Sequence, residues 1–333
     1  MSGLKQTLSV GVPAYNQGRY LKATLDSLLA QTVAPLEIVV SDNHSTDETA
    51  SILRGYQGRI RAIRPDTHLD MMAHWNFVVA NLKGDWVALL SSDDIAKPNY
   101  VEVLQRGTER SKSAVLIRAG WETIDAEGRL IEERKLLGVR TVVSPPQTFL
   151  EQLLGPKVSF AAFAVRKSAW ESVGGFPEQC ALVGDWGFWL KISPMGNFVR
   201  EMPVISQYRA DYRPAIQKRR LVPWLQDEFI LATEIIPKIS GQFNGAFAER
   251  VDRGKAQRLF QCLESCSVIL EPTERPELVS FFQKWALAIG LGSLENNRKW
   301  NRFLTGKRVS QASGMAYIKS RIRPLYAWLR SYV

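Results

Sequence analysis

Three short apolar runs in the first hundred residues each end in a cluster of polar side chains. The clusters are Pro13-Ala14-Tyr15-Asn16, Ser41-Asp42-Asn43-His44-Ser45-Thr46-Asp47 and Ser91-Ser92-Asp93-Asp94. Any one cluster is also typical of a turn or a helix N-cap, because Asp, Asn and Ser bond to nearby backbone groups. All three together, at three strand ends, favour a ligand-binding cleft in which carboxylates could hold a hard divalent cation.

The three histidines add no separate chemistry. His44, His68 and His74 lack the i, i+4 spacing and the His-x-Glu pattern of a dedicated metal site. A hydrolase triad is not indicated either, since the chain has no Gly-x-Ser-x-Gly motif. We interpret His44 as a turn residue and predict that His68 contacts a bound ligand.

Hydrophobic periodicity predicts the elements that carry these clusters. Residues 8–12, 36–40 and 86–90 are short apolar runs typical of buried strands. Between them, apolar stripes at helical spacing predict helices, and Ser45 with Glu48 three residues later resembles a capping box. Alternating strands and helices predict an α/β layered domain with right-handed crossovers.

The rest of the chain has a different pattern. Residues 114–118, 139–143 and 159–165 predict strands that extend the same sheet as an α+β region, followed by a Trp-rich helix near Asp185. Beyond residue 212 a polar connection leads into a region that we interpret as helical. The boundary is therefore placed near residue 212.

The net charge of +10 is concentrated at one end of the chain. Nine basic residues and no acidic residue lie from Arg298 onward, which leaves the remainder with a net charge near +1. A nucleic-acid-binding surface would spread basic residues over a domain face, so this distribution argues against nucleic acid as a partner. It indicates a basic tail instead.

The cysteines and the apolar runs point to a cytosolic protein. Cys180, Cys262 and Cys266 are too few for a disulfide framework, and we expect reduced thiols. The chain shows no segment of signal-peptide character and no run of about 18 apolar residues that could span a bilayer.

The spacing of three segments resembles a known family. VGVPAYN, EIVVSDNHSTDET and GDWVALLSSDD follow one another as in the nucleotide-sugar-binding half of family 2 glycosyltransferases, which have the GT-A fold. More loosely, AVRKSAWESVGGF resembles the acceptor-side segment, GDWGFWLKI the helix of the acidic motif, and Ser206-Gln207-Tyr208-Arg209 the strand that closes the site. The resemblance implies a GT-A domain over residues 1–212, with nucleotide-sugar binding in 1–110 and the acceptor side in 111–212. A helical basic region follows over 213–333.

The resemblance also implies a role for several residues. Pro13 and Tyr15 would line the base pocket, Asp42 would accept a hydrogen bond from the base, and Asp93 would lie near the ribose. Asp94 would ligate Mg²⁺ or Mn²⁺. Asp185 would be the general base, although a helix N-cap is the competing interpretation. Trp186, beside that base, could stack on an acceptor ring, whereas a buried tryptophan is the more common case.

The sequence departs from the family pattern at three places. Ser91 stands where members often have a further acidic residue, so fewer carboxylates would hold the metal. Gly184 replaces a common Glu before the catalytic Asp. Residues 66–70, Asp-Thr-His-Leu-Asp, occupy the region where some members have an Arg that contacts the base. The third departure leaves the identity of the nucleobase open, and the second leaves Asp185 alone in the role of general base.

Two interpretations of the C-terminal tail remain open. Apolar residues near helical spacing, flanked by Lys319, Arg321, Arg323 and Arg330, are typical of a segment on an anionic membrane. The same stripe could instead pack on the GT-A domain. We favour membrane attachment, because it would suit an acceptor built on a lipid carrier.

The sequence therefore predicts an inverting, metal-dependent glycosyltransferase. It would move a sugar from a nucleotide-sugar donor to a glycan, expected to be lipid-linked, in bacterial polysaccharide biosynthesis. The expected location is the cytoplasm, at the inner face of the plasma membrane. The alternatives are a nucleotidyltransferase that makes a nucleotide sugar, which usually needs a Gly-rich basic phosphate loop, and a non-enzymatic nucleic-acid-binding protein.

Overall fold

The computed structural model describes residues 6–134, 136, 141–210, 214–243, 246–270, 274–295 and 297–305. These residues fall into two compact units. The first comprises residues up to 148 together with 157–210, and the second comprises 149–156 and the chain from 211 onward. None of the described helices combines the length and the apolar character needed to cross a membrane.

A single mixed sheet forms the centre of the first unit. Its strands are β1 Leu8–Ala14, β2 Glu37–Asp42, β3 Arg61–Ile63, β4 Trp86–Leu89, β5 Ile95–Ala96, β6 Ala114–Ile124, β7 Leu130–Arg134, β8 Thr141–Val143, β9 Phe163–Arg166 and β10 Asn197–Arg209. The order across the sheet is β3-β2-β1-β4-β9-β6-β10-β5, with β7 added beside β6 and β8 beside β10. The predicted α/β fold with an α+β extension is confirmed, and the sheet as a whole is mixed.

Strand direction brings the predicted clusters to one edge of the sheet. β1 runs parallel to β2 and to β4, and Ala14 is paired with Asp42 at the ends of the first two strands. β9 is antiparallel to β4 and β6, whereas β10 runs parallel to β6. The carboxyl ends of parallel strands meet at the same edge, so the loops after β1, β2 and β4 are neighbours.

Helices cover the sheet of the first unit. They are α1 Gly18–Leu29, α2 Thr49–Gly55, α3 Met71–Ala80, α4 Tyr100–Thr108, α5 Gln147–Gln152, α6 Lys167–Ser172 and α7 Gly184–Ile192, with α5 extending into the second unit. The apolar stripe of α1 predicted from its spacing is buried, with Leu21, Leu25 and Leu28 inaccessible to solvent. The prediction that Ser45 and Glu48 form a capping box was wrong, because α2 begins at Thr49. The Ser45 hydroxyl instead accepts a hydrogen bond from the backbone N–H of Asn16.

The second unit is helical over its described residues. It contains α8 Pro214–Ile230, a π-helical turn at Leu231–Ile235, α9 Ile236–Ser240, α10 Ala246–Ile269, α11 Pro276–Ala288 and α12 Arg298–Thr305. α10 packs against α8, α11 and α12. A buried ion pair joins Glu228 of α8 to Arg258 of α10. The predicted helical C-terminal region is confirmed, and the tail from residue 306 onward lies outside the described residues.

Candidate nucleotide-binding and catalytic site

Hydrogen bonds join the loop after β1 to the loop after β2. Asn16 N donates to Ser45 Oγ at 3.0 Å, and Thr46 N donates to Asn16 Oδ1 at 2.8 Å. Asp42 Oδ1 accepts from Ser45 N at 2.9 Å. Asn16 and His44 both adopt left-handed φ values, 51° and 61°, which ordinary L residues rarely adopt. The polar residues of the two loops therefore hold the loops in place.

An aromatic pair lies beside these loops. Tyr15 is 48% exposed, and the centroid of its ring is 4.7 Å from that of His68. His68 Nδ1 lies 3.0 Å from the carbonyl oxygen of Asn43, and because a carbonyl only accepts, Nδ1 carries the hydrogen. Pro13 is buried within β1, where it pairs with Ser41. The structure thus groups Tyr15 and His68 at the end of β2.

The carboxylate of Asp42 has a cationic neighbour that the sequence analysis did not identify. Asp42 is 5% exposed, and its Oδ2 lies 3.8 Å from Nη1 of Arg64. Arg64 follows β3, the edge strand next to β2. In the sequence, Arg64 could have been found as a basic residue directly after a short strand. It lies two positions before residues 66–70, the region compared with the family's base-contacting Arg.

Beneath this edge, a neutral histidine supports β2. His74 of α3 is 4% exposed, and its Nε2 lies 2.9 Å from Ser41 Oγ. Burial, together with the nearby His68, lowers the pKa of His74 from 6.5 to about 4, and Asp42 opposes the change. A buried imidazolium would lose its hydration, so His74 remains neutral at physiological pH.

The two carboxylates after β4 differ in accessibility. Asp93 is half-buried, and burial raises its pKa to about 6, an effect that the charge of Arg209 partly opposes. Asp94 is inaccessible to solvent, and burial together with the charge of Asp93 holds its pKa well above the usual value. Oδ1 of Asp94 accepts from Arg209 N at 2.8 Å. Among the residues that the structure describes, Oδ2 of Asp94 has no hydrogen-bond partner.

Arg209 connects the end of β10 to this acidic turn. Its Nε donates to the carbonyl oxygen of Asp93 at 2.9 Å, and its Nη1 donates to those of Asp125 and Ala126 at 2.7 and 3.1 Å. The guanidinium carbon lies 4.4 Å from the ring centroid of Tyr20. These contacts fix a half-buried cation beside Asp93. From the sequence, Arg209 is predicted to lie in the strand that closes the site, but no role for its side chain is predicted.

Asp185 and Trp186 lie in the first turn of α7, which begins at Gly184. Asp185 is therefore inside the helix and is not its N-cap, and its Oδ1 accepts from the backbone of Trp186. Both side chains are 0% exposed. α7 lies against α3, because a Cβ at Gly184 would lie 2.0 Å from the sulfur of Met72. The acceptor role of Trp186 stays a prediction, and the complete burial of its ring argues against it.

The donor atoms available to a metal are few. Within the described ranges, no group of three or more His, Cys, Asp or Glu side chains could hold a metal ion by itself. Mg²⁺ is usually held by one or two carboxylates together with substrate phosphates and water. Asp93 and Asp94 fit that donor set, and of the two residues Asp93 is the one that is partly exposed. Asp94 as the direct ligand stays a prediction, and its burial argues against it.

Comparison with known proteins identifies the class. Residues 9–167 match the model of glycosyl transferase family 2, so the chain contains a family 2 glycosyltransferase domain, and the predicted family is confirmed. The structure of S. aureus TarS 1-349 in complex with UDP superposes with a TM-score of 0.67 at 16% identity, covering 90% of this chain and 87% of that one. The superposition on the UDP-GlcNAc complex of the same protein covers 94% of this chain and 92% of that one, with the same TM-score. These matches confirm the predicted GT-A fold.

Curated relatives match somewhat more than half of the chain. A chondroitin synthase and a hyaluronan synthase of Pasteurella multocida are each 27% identical to this chain over 197 residues. A chondroitin synthase of Escherichia coli is 29% identical over 196 residues. Each alignment covers 57% of this chain. It covers 19% of each Pasteurella synthase and 27% of the Escherichia coli synthase, so the chain corresponds to a small part of each relative.

Proposed function

We propose that this chain transfers a sugar from a UDP-sugar donor to a glycan acceptor during the synthesis of a bacterial surface polysaccharide. The observation that carries the proposal is the grouping of Tyr15, Asp42 and Asp93 at the carboxyl ends of three adjacent strands. A base stacked on Tyr15 would present its edge to Asp42, and the diphosphate would extend toward Asp93. The UDP and UDP-GlcNAc complexes of TarS support the choice of nucleotide, since the fold is shared.

We further propose Mg²⁺ or Mn²⁺ as the cofactor, held by Asp93. When bound, the cation neutralises the charge that develops on the diphosphate leaving group. Arg209 adds a fixed positive charge beside Asp93 and would attract the same diphosphate. Asp94 has a different role in this proposal: through Arg209 N it joins the acidic turn to β10, which keeps Arg209 near Asp93.

For the acceptor side, we propose Asp185 as the general base. A hydroxyl is a poor nucleophile until a positioned carboxylate takes its proton, and such assistance typically contributes about 10²–10⁴-fold. Attack from the face opposite the leaving group inverts the anomeric carbon in one displacement. The acceptor must reach a carboxylate that is buried in this structure, so acceptor binding and exposure of Asp185 are linked in this proposal.

The donor part of the proposal is tested by nucleotide binding. Isothermal titration with UDP, GDP, CDP and dTDP, each with and without Mn²⁺, should show metal-dependent binding of UDP. In a thermal-shift assay, UDP at 100 times its dissociation constant should stabilise the protein by about 2.7 kcal/mol. Absence of binding by all four nucleotides would contradict the proposed function, and preference for another base would contradict the choice of UDP.

We also propose that the basic tail attaches the protein to the inner face of the plasma membrane and that the acceptor is lipid-linked. The support is the composition of residues 306–333, which contain six basic residues and no acidic one. Truncation after Thr305 keeps α12, whose Trp300 and Phe303 are buried. The truncated protein should no longer sediment with anionic vesicles, while retaining UDP binding. Equal sedimentation of both proteins would contradict attachment through the tail.

A further inference from the structure

An apolar turn lies at the surface of the second unit where α11 ends. Residues 287–293, Leu-Ala-Ile-Gly-Leu-Gly-Ser, contain no charged side chain, and we refer to them as the α11 turn. Leu287 is 66% exposed and Leu291 is 39% exposed. Single exposed leucines are ordinary on protein surfaces, whereas neighbouring ones with no charge between them indicate an interaction surface.

Backbone hydrogen bonds fix the conformation of the α11 turn. Gly290 N donates to Leu287 O at 3.1 Å, and Leu291 N donates to Ala286 O at 2.9 Å. These two bonds define a Schellman motif, which needs a left-handed residue directly after the helix. Gly290 supplies that conformation with φ 81°. The exposure of Leu287 and Leu291 therefore belongs to an ordered turn with its backbone bonded.

α11 has an inner face and an outer face. Phe282, Trp285 and Ala286 are buried, and the Phe282 ring packs against another aromatic ring of the unit. Lys284 and Leu287 are both exposed, and residues three positions apart in a helix are neighbours on its surface. The leucines thus continue the outer face of the helix and are not part of the core.

The two glycines show that the α11 turn projects from the unit. A Cβ added at Gly290 or Gly292 would have no atom of the described residues within 4 Å, its chain neighbours aside. Leu294, directly after the turn, is buried and returns the chain to the unit. Apolar groups that project in this way can enter the boundary between headgroups and acyl chains, which lies about 5–10 Å into a bilayer.

Basic side chains flank the α11 turn. Lys284 lies one helical turn before Leu287, and Arg298 follows at the start of α12; both are exposed. Glu295 is the single acidic residue between them. A basic residue near an anionic lipid surface contributes roughly fivefold to partitioning. The combination of apolar turn and basic flanks therefore favours anionic lipid as the partner.

The basic tail starts close to the α11 turn. α12 follows the turn and has eight residues, so it spans about 12 Å. The tail begins directly after Thr305, the last residue of that helix. Stable attachment of a peripheral protein usually takes two signals, such as an apolar group together with a basic segment. The turn and the tail are near enough to supply one signal each.

We propose that the α11 turn inserts Leu287 and Leu291 into an anionic lipid surface and is a second membrane contact beside the basic tail. This inference rests on the membrane attachment proposed above. It adds a part that resists salt, because salt screens the attraction between basic residues and headgroups but does not weaken the burial of leucine.

The first test is partitioning of the full chain onto vesicles of phosphatidylglycerol and phosphatidylcholine, measured by co-sedimentation at several salt concentrations. Leu287→Ser with Leu291→Ser should weaken partitioning about tenfold at each concentration, because less apolar area leaves water. Lys284→Gln should weaken it about threefold to fivefold at low salt only. The matched control replaces two exposed leucines of the first unit, Leu36→Ser with Leu130→Ser, and should bind as the unmodified protein does.

A fluorescent label tests insertion without relying on a loss of binding. Cys180, Cys262 and Cys266 are buried, so a thiol-reactive, polarity-sensitive fluorophore should label Leu291→Cys selectively. Its emission should shift to the blue when the same vesicles are added. The same label on Asp252→Cys, at an exposed position of α10, should keep its emission in water. Vesicle-bound protein without a shift at position 291 would overturn the inference.

The outcomes separate this inference from the proposed function. If the unmodified protein binds the vesicles and Leu287→Ser with Leu291→Ser binds them equally well, the inference is wrong and attachment through the tail stands. If the unmodified protein does not bind, both membrane proposals fail, whereas UDP binding still tests the proposed sugar transfer. If the two serines turn a dimer into a monomer in analytical ultracentrifugation and leave vesicle binding unchanged, the turn is a contact between copies and the inference is overturned. Circular dichroism checks that each variant is folded.

Discussion

The two sides of the candidate site differ in their access to solvent. On the proposed donor side, Tyr15 is 48% exposed and the side chain of Arg64 is 50% exposed. On the acceptor side, Asp185 and Trp186 are completely buried in α7. A residue can contact substrate only if substrate can reach it. If the proposed roles are correct, the donor side is therefore reachable in this structure, whereas Asp185 would have to become accessible.

The difference in solvent exposure between the two sides of the site has a local cause. Donor-side residues lie on loops beyond the strand ends, and loops run over the surface. Asp185 lies instead in a helix of which every residue except Lys191 is buried. Aromatic contacts surround that helix, with Phe176 and Phe188 at 4.5 Å and Phe163 and Trp189 at 4.7 Å between ring centroids. A helix that is apolar all round is expected to be buried on all sides.

The largest expected effect would come from Asp185. If its buried carboxylate is the base, Asp185→Asn should slow the release of UDP from UDP-GlcNAc by about 10²–10⁴-fold, because no group takes the proton of the attacking hydroxyl or water. UDP affinity should be unchanged, since the donor side is separate. Asp252→Asn, on the exposed surface of α10, is the control. A rate within threefold of the unmodified protein would restrict Asp185 to a structural role.

A smaller effect is expected within the acidic turn. Asp93→Asn should weaken Mn²⁺-dependent UDP binding by roughly 100-fold, as expected for loss of an interaction with a charged group. Asp94→Asn should retain Mn²⁺-dependent UDP binding, because the amide oxygen can still accept the hydrogen bond from Arg209 N. Titration of each variant with UDP, with and without Mn²⁺, distinguishes the roles of the two residues. The opposite result, with Asp94→Asn losing metal dependence, would restore Asp94 as the direct ligand.

The smallest expected effect concerns His74 below the donor side. Its folded-state pKa, about 4, is below the ordinary value of 6.5, so the unfolded chain binds more protons between these values. Stability should consequently fall as the pH falls from about 6.5, by about 2 kcal/mol between pH 7 and pH 5 from this residue. Urea unfolding at both pH values measures it. In the His74→Gln variant, the free energy of unfolding should fall less between pH 7 and pH 5. An identical fall in the variant and the unmodified protein would show that His74 does not cause it.

Local patterns were sufficient to predict much of the first unit. The apolar runs gave β1, β2 and β4, and the stripe of Leu21, Leu25 and Leu28 gave α1, because burial of one face imposes a period on the sequence. Parallel direction then placed Tyr15, Asp42 and Asp93 at one edge. The capping box at Ser45 failed because the hydroxyl bonds to Asn16, a residue 29 positions earlier in the chain.

Short-range periodicity and the points at which strands end are sufficient to predict the class of fold and the polar clusters at the strand ends. The tertiary contacts decide that Asp93 is partly exposed whereas Asp94 is buried, that Arg64 faces Asp42, and that Arg209 lies beside Asp93. They also decide that Asp185 and Trp186 are buried. Each of these depends on contacts between residues distant in the chain, and such contacts leave no periodic signal in the amino-acid sequence.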